Sequence, residues 1–219
     1  MIWLVLSIIC STLIFVIFKY FDQFKIDNLQ AIIVNYIVAS SLGMALRGFD
    51  TSIIEIPEKN WFWSAFILGI IFIWLFRLMA LASQKIGVSV VSITVKMSLV
   101  IPVLFGVFYY HESIGLVKVL GISIALLAVY LTTAKDKAKK SSGLYIKLPL
   151  ILFFGSGIMD TFINFNQEEI VFPINNVGIV ALSVLFAVLL FSEKLNVKNK
   201  IGIALALISI ALLGFDSFD

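Results

Sequence analysis

Long apolar runs separated by short polar pieces constrain this chain more than any other feature. They cover about residues 2–19, 29–46, 61–82, 87–111, 115–134, 148–165, 170–192 and 197–215. Each run approaches the ~20 residues that a helix needs to cross ~30 Å of hydrocarbon. The sequence therefore predicts an all-α integral membrane protein with about eight transmembrane helices.

The composition supports a membrane location and narrows the partners. Apolar residues make up 61% of the chain and charged residues 13%, whereas soluble domains average about 45–50% and about 25%. Cys10 and His111 are the single cysteine and histidine, so a zinc or copper cage is not expected. We expect no cofactor and no nucleic-acid partner. The expected partners are the lipid bilayer and a small-molecule substrate, and a homodimer is also compatible with the sequence.

The basic segment "KDKAKKSSGLYIK", residues 135–147, divides the chain into two parts. Its five lysines and one aspartate predict a solvated linker. Lysine also predominates in the other odd-numbered connections between the apolar runs, which is typical of the cytoplasmic side. The linker is therefore predicted to be cytoplasmic. Residues 2–18 lack a basic segment before them and a small-residue cleavage site after them, so we expect a retained first helix.

An internal repeat appears when the sequence is shifted by 81 residues. "VVSITVKMSLVIPVLFGVFYYHE", residues 90–112, then aligns with "VFPINNVGIVALSVLFAVLLFSE", residues 171–193. Glu112 pairs with Glu193, and the later Gly121 pairs with Gly202. The turns of these two hairpins are the fourth and seventh connections, so the two copies are predicted to be inverted in the membrane. Inverted repeats are a common construction in secondary transporters.

The residues of this repeat resemble those of a known family. The stretch "GVSVVSITVKMSLVIPVLFGVFYYHESIGLVKVLGISIALLAVYL" is similar to the helix pair that closes each half of EamA-type transporters, in the drug/metabolite transporter superfamily. "NLQAIIVNYIVAS" resembles the second helix of some members. The matching residues are Pro102, Glu112 and Gly121. The second copy keeps Glu193 and Gly202 and has Ser183 in place of the proline.

The resemblance implies an inverted-repeat helical bundle related to the ten-helix fold of five plus five helices. It divides the chain into a first half over 1–134 with five helices, the linker 135–147, and a second half over 148–219. That second half is shortened to three helices. Two helices of the family pattern are missing between Phe165 and Ile170, where the sequence reads only "NQEE".

Polar residues within the apolar runs are the candidate substrate-binding residues, because such residues are costly in a membrane and tend to face a cavity or the bundle interior. They are Lys96, Ser92, Asn175, Asn176, Asp160, Asn164 and Arg77. Lys96 lies near the middle of its run, with Ser92 on the same helix face. It could contact substrate, or it could be a buried lysine bonded to carbonyl oxygens or a carboxylate.

The other candidates have alternatives of the same kind. Asp160 is the candidate for proton coupling, and a structural pair with Lys96 is an equal alternative. The asparagines could bind substrate or join helices by hydrogen bonds. Arg77 could line a cavity or extend toward the membrane surface.

A second set of residues is predicted to be structural. Pro102 removes a backbone hydrogen bond to the Ser98 carbonyl, which predicts a bend. Glu112 and Glu193 are predicted to cap turns. Gly121 and Gly202 each begin a small-x-x-x-small face that permits close helix packing.

These features favour a secondary active transporter of small polar metabolites such as amino acids or sugars. The resemblance implies an exporter or a proton-coupled carrier that works by alternating access in a bacterial cytoplasmic membrane. The alternative is a transport-inactive truncated membrane protein or an assembly subunit. An enzyme is not expected, because the chain contains neither H-E-x-x-H nor G-x-S-x-G. It also lacks the phosphate-binding G-x-x-x-x-G-K-[ST], so direct use of ATP is not expected.

Overall fold

The computed structural model describes residues 2–47, 62–111, 114–133, 143–163 and 171–215, and these ranges contain helices and no strands. The helices are α1 (Ile2–Gln23), α2 (Asn28–Arg47), α3 (Phe62–Lys85), α4 (Val88–Met97), α5 (Val100–Tyr110), α6 (Leu116–Thr133), α7 (Gly143–Ile163), α8 (Val171–Phe191) and α9 (Val197–Phe215). The predicted all-α membrane fold is confirmed.

Within the described residues, five spans are long and apolar enough to cross a membrane: Ile2–Gln23, Asn28–Ala45, Phe62–Lys85, Val88–Tyr109 and Leu116–Thr133. A shorter apolar helix covers Gly178–Phe191. Helix α7 begins at Gly143, five residues before the predicted start of its run. The predicted run began after Lys147 because it was based on hydropathy. The preceding segment "GLYI" contains no helix breaker after its first glycine, and it forms the start of α7.

The predicted run 87–111 is two helices rather than one. Helix α4 ends at Met97 and α5 begins at Val100. Pro102 has no N–H, so the Ser98 carbonyl cannot accept the usual bond from four residues later. It accepts instead from the Ile101 N–H at 2.9 Å, a tighter 3₁₀-type turn. The bend expected from Pro102 therefore lies at the start of α5.

The contact between α6 and α9 shows the inversion of the repeat. A Cβ on Gly121 would lie 2.8 Å from Leu213 Cγ, and one on Gly202 would lie 2.6 Å from Thr132 Cγ2. Thr132 and Leu213 are themselves 81 residues apart, so the two contacts are reciprocal. The start of each helix meets the end of the other, and the two helices are antiparallel.

Three connections meet at one end of the bundle. The Lys19 Nζ donates to the carbonyls of Ser83 and Gln84, both at 3.2 Å. A cation favours this position because the last carbonyls of α3 carry a partial negative charge. The Gln84 Nε2 donates to Asn28 Oδ1 at 2.8 Å, which joins the α1–α2 and α3–α4 connections. Glu193, after α8, contacts the start of α4 at the same end.

The close packing of α6 and α9 gives a first prediction. Gly202→Ala would place a methyl group 3.0 Å from the Ala128 carbonyl oxygen and 3.0 Å from the Thr132 backbone nitrogen. Backbone atoms cannot rotate away, so we expect a loss of about 1–3 kcal/mol in the free energy of unfolding. Unfolding in detergent followed by circular dichroism measures it. Gly43→Ala is the control, since no atom lies within 4 Å of its added Cβ. Equal stability of the two variants would contradict the close contact.

Candidate functional site

Helix α4 lies at the centre of the bundle and packs against α3, α6, α7, α8, α9 and α1. From Gly87 to Val100, every residue is buried except Lys96, which is partly accessible. A lysine is costly in such surroundings unless an opposite charge or polar atoms are near. The surroundings of Lys96 are therefore the first place to look for a site.

Asp160 supplies the opposite charge. It lies on α7, is partly accessible, and interacts electrostatically with Lys96. Lys96 stands in the last turn of α4, where the free carbonyls of a helix end favour a cation. Asp160 is thus the carboxylate whose charge acts on Lys96, without a direct hydrogen bond between the two side chains. Asp160 lies three residues before the last described residue of α7.

Ser98 connects the two charged residues to the break between α4 and α5. Its Oγ lies 3.3 Å from Asp160 Oδ2 and can also donate to the Val95 carbonyl. The side chain is fully buried. Ser98 was absent from the predicted site, although its carbonyl was expected to lose a partner to Pro102. No sequence signal distinguished it, because a serine in a helix usually bonds to its own backbone.

The other predicted residues are more dispersed. Ser92 is buried and its hydroxyl donates to the Ser89 carbonyl at 3.1 Å. Asn176 is also buried, and its Oδ1 has no hydrogen-bond partner among the described residues. Arg77 is on the exposed side of α3, away from the buried core. Asn175 belongs to α8, but its side chain is outside the described part of the structure, and Asn164 and Glu112 lie outside the described residues altogether.

Two buried hydroxyls were not predicted. Ser156 Oγ and Ser183 Oγ have no hydrogen-bond partner among the described residues. Ser156 is one turn before Asp160 on α7, and Ser183 is two turns after Asn176 on α8, so each shares a helix face with a predicted residue. This helical spacing is the sequence signal that could have identified the two serines. These groups add polar atoms to the inner faces of α7 and α8.

Glu193 has a role different from the predicted one. It follows Ser192, which has a left-handed backbone with φ 49°, and the aligned His111 has φ 55°. Both repeats therefore end their long helix with the same backbone turn. The Glu193 carboxylate does not cap its own turn; its Oε1 accepts a hydrogen bond from the Val88 N–H at 2.7 Å. It caps the N-terminus of α4.

Comparison with known proteins shows which family the chain belongs to. The family model of the EamA-like transporter family matches residues 1–134, which contain α1 to α6. The chain belongs to the EamA-like transporter family. This multi-pass membrane protein is thus a member of a transporter family, and the predicted resemblance is confirmed.

A relative of this EamA-like chain is an uncharacterized protein from Haemophilus influenzae (strain ATCC 51907 / DSM 11121 / KW20 / Rd). It is 27% identical over 165 residues, which cover 72% of this chain and 56% of the relative. The chain therefore spans about half the length of the curated relative that it matches. No solved structure matches the chain.

Proposed function

We propose that this EamA-like chain is a secondary active carrier of small polar metabolites, such as amino acids or sugars, in a bacterial cytoplasmic membrane. It works as an exporter or a proton-coupled carrier by alternating access between its two inverted parts. The observation that carries the proposal is the Lys96–Asp160 pair beside the break between α4 and α5.

The break supports a binding role on chemical grounds. Discontinuous helices in transporters present helix ends and unpaired backbone groups to a solute near the middle of the membrane. Lys96 and Asp160 offer opposite charges there, and Ser98 offers a hydroxyl within 3.3 Å of Asp160 Oδ2. A small solute with polar or charged groups could therefore bind to a charged side chain and to a hydroxyl group. Asp160 is the proposed proton-coupling residue, since a carboxylate can exchange a proton during the cycle.

A transport-inactive membrane protein or assembly subunit is the second candidate. This candidate is supported by the short segment that separates α7 from α8 in the second part of the chain. Only residues 164–170 separate α7 from α8, and this segment is too short for a single membrane span. Helices α2 and α3 therefore have no counterparts between α7 and α8, and a site completed by such helices would be open in this chain.

Flux measurements decide between the two candidates. The purified chain is reconstituted into liposomes, and uptake of a panel of labelled amino acids and sugars is measured with and without a proton gradient. We expect uptake of at least one solute above that of protein-free liposomes. The control is the Lys96→Met/Asp160→Asn variant, which lacks both charges and is expected to give no uptake. Wild-type flux equal to that of empty liposomes for every solute would favour the transport-inactive alternative.

A further inference from the structure

A carboxylate from a distant part of the chain holds the N-terminus of α4. Glu193 Oε1 accepts a hydrogen bond from the Val88 N–H at 2.7 Å, and Oε2 accepts from the Ser89 hydroxyl at 3.0 Å and from the Ser89 N–H at 3.4 Å. The first N–H groups of a helix lack partners within the helix and carry a partial positive charge. The N-cap residue Gly87 makes no side-chain cap. Glu193 therefore supplies the cap that α4 lacks locally.

The turn before α4 is shaped for this contact. Gly87 has φ 118°, a backbone conformation that residues with side chains rarely adopt. A Cβ at this position would lie 3.0 Å from both Glu193 carboxylate oxygens. Glycine thus allows the close approach of Glu193. The contact joins the α3–α4 connection to the α8–α9 connection at this end of the bundle.

Helix α4 links that contact to the charged pair. It has 10 residues, or roughly 15 Å at 1.5 Å per residue. Glu193 binds its first turn and Lys96 stands in its last. Because α4 ends at Met97 and α5 begins at Val100, the backbone hydrogen bonds of α5 do not continue those of α4. The hydrogen bonds that Glu193 accepts from the first turn of α4 therefore help to fix the position of Lys96.

We propose that Glu193 is a positioning residue for the Lys96 site, and that its contact with Val88 and Ser89 must break when this end of the bundle opens. The proposal rests on the proposed function, since opening of one end is a step of alternating access. With the contact made, Ser92 is fully buried between Glu193 and Lys96. Loss of the contact would expose position 92, because it lies one turn along α4 from Ser89, which Glu193 binds.

A single reporter cysteine tests this proposal. Cys10 is the single cysteine of the chain and is exposed, so Cys10→Ser gives a background in which Ser92→Cys is the sole thiol. The protein is placed in lipid nanodiscs, where both faces meet the solvent, and the rate of alkylation by a membrane-impermeant maleimide is measured. We expect Glu193→Ala to raise this rate at least about tenfold, because losing a hydrogen bond to a charged group shifts an equilibrium by at least about that factor.

A matched control separates positioning from general stability. Asp27 Oδ1 accepts a hydrogen bond from the Gln30 N–H at 2.9 Å and so caps α2. It belongs to the α1–α2 connection, at the same end of the bundle, on a helix that carries none of the charged pair. We expect Asp27→Ala to lower thermal stability without changing the alkylation rate at position 92. Equal rates of alkylation at position 92 in Glu193→Ala and Asp27→Ala, whether raised or unchanged from wild type, would overturn the proposal.

Glu193→Gln is a milder substitution that still tests the proposal if the Glu193→Ala protein does not fold. Glu193→Gln retains an oxygen that can accept from Val88 and loses the charge, so we expect a rate between those of wild type and Glu193→Ala. A Glu193→Gln rate equal to that of wild type, in folded protein, would also contradict the proposal.

The experiment uses no solute, so its result is independent of transport. Flux together with an unchanged rate in Glu193→Ala would overturn the positioning role alone. No flux together with a raised rate would overturn the proposed function alone.

Discussion

Lys96→Met is expected to lower the free energy of unfolding by about 1–3 kcal/mol, the cost of leaving a buried polar group without its partner. Asp160 would then lose the opposite charge that offsets the cost of its own, with Ser98 beside it among its described partners. We expect Asp160→Asn to destabilise as well, since it leaves the Lys96 ammonium without its carboxylate. Unfolding in detergent, followed by circular dichroism, measures both losses.

The double variant Lys96→Met/Asp160→Asn distinguishes stability from function. It removes both charges, so we expect it to recover most of the stability lost in each single variant. Transport should not recover, because the site would lack both charged side chains proposed to bind the solute. Additive losses of stability would show that the two charges do not stabilise each other. Recovery of flux in the double variant would show that they are dispensable for transport.

Gly157→Ala is expected to separate α7 from α5 and to reduce transport strongly. The added Cβ would lie 2.7 Å from Ile101 Cβ and 2.8 Å from Ile101 Cγ1. The Cβ is fixed to the backbone, so the helices must move apart, at a cost of about 1–3 kcal/mol. Asp160 is one turn further along α7, and the movement would carry it away from Ser98. Stability and liposome flux are measured on the same preparation.

The control for Gly157→Ala is Gly69→Ala on α3, where no atom lies within 4 Å of the added Cβ. Alanine favours a helix over glycine by about 1 kcal/mol, so this control should be as stable as wild type or slightly more stable, with unchanged flux. A Gly157→Ala protein with wild-type stability and flux would contradict the close approach of α7 to α5.

The helices and their break could be predicted because their causes are local. Apolar runs of about 20 residues identify the spans, and Pro102 identifies the break through its missing N–H. The inversion of the repeat followed from counting connections between Glu112 and Glu193. The reciprocal positions of Gly121 and Gly202 in the α6–α9 contact agree with that count.

The contacts between distant residues could not be predicted in the same way. Glu193 binds Val88, which is 105 residues away, and the repeat aligns hairpins without showing which helix ends meet. Arg77 is a candidate because it lies in the middle of an apolar run; α3 is apolar on all sides, so its sequence does not indicate which face is buried. Asp160 could be identified because few carboxylates occur within the apolar runs. Ser98 could not, because a serine in a helix usually bonds to its own backbone.

The central claim is that Lys96 and Asp160 form the binding site of a carrier. Equilibrium binding of a transported solute, measured by calorimetry on purified wild-type protein and on Lys96→Met/Asp160→Asn, tests it most directly. We predict that the wild type binds the solute with measurable heat and that the double variant, folded and of similar stability, shows no binding. Equal affinity in the two proteins would contradict the claim and would place the solute elsewhere in the bundle.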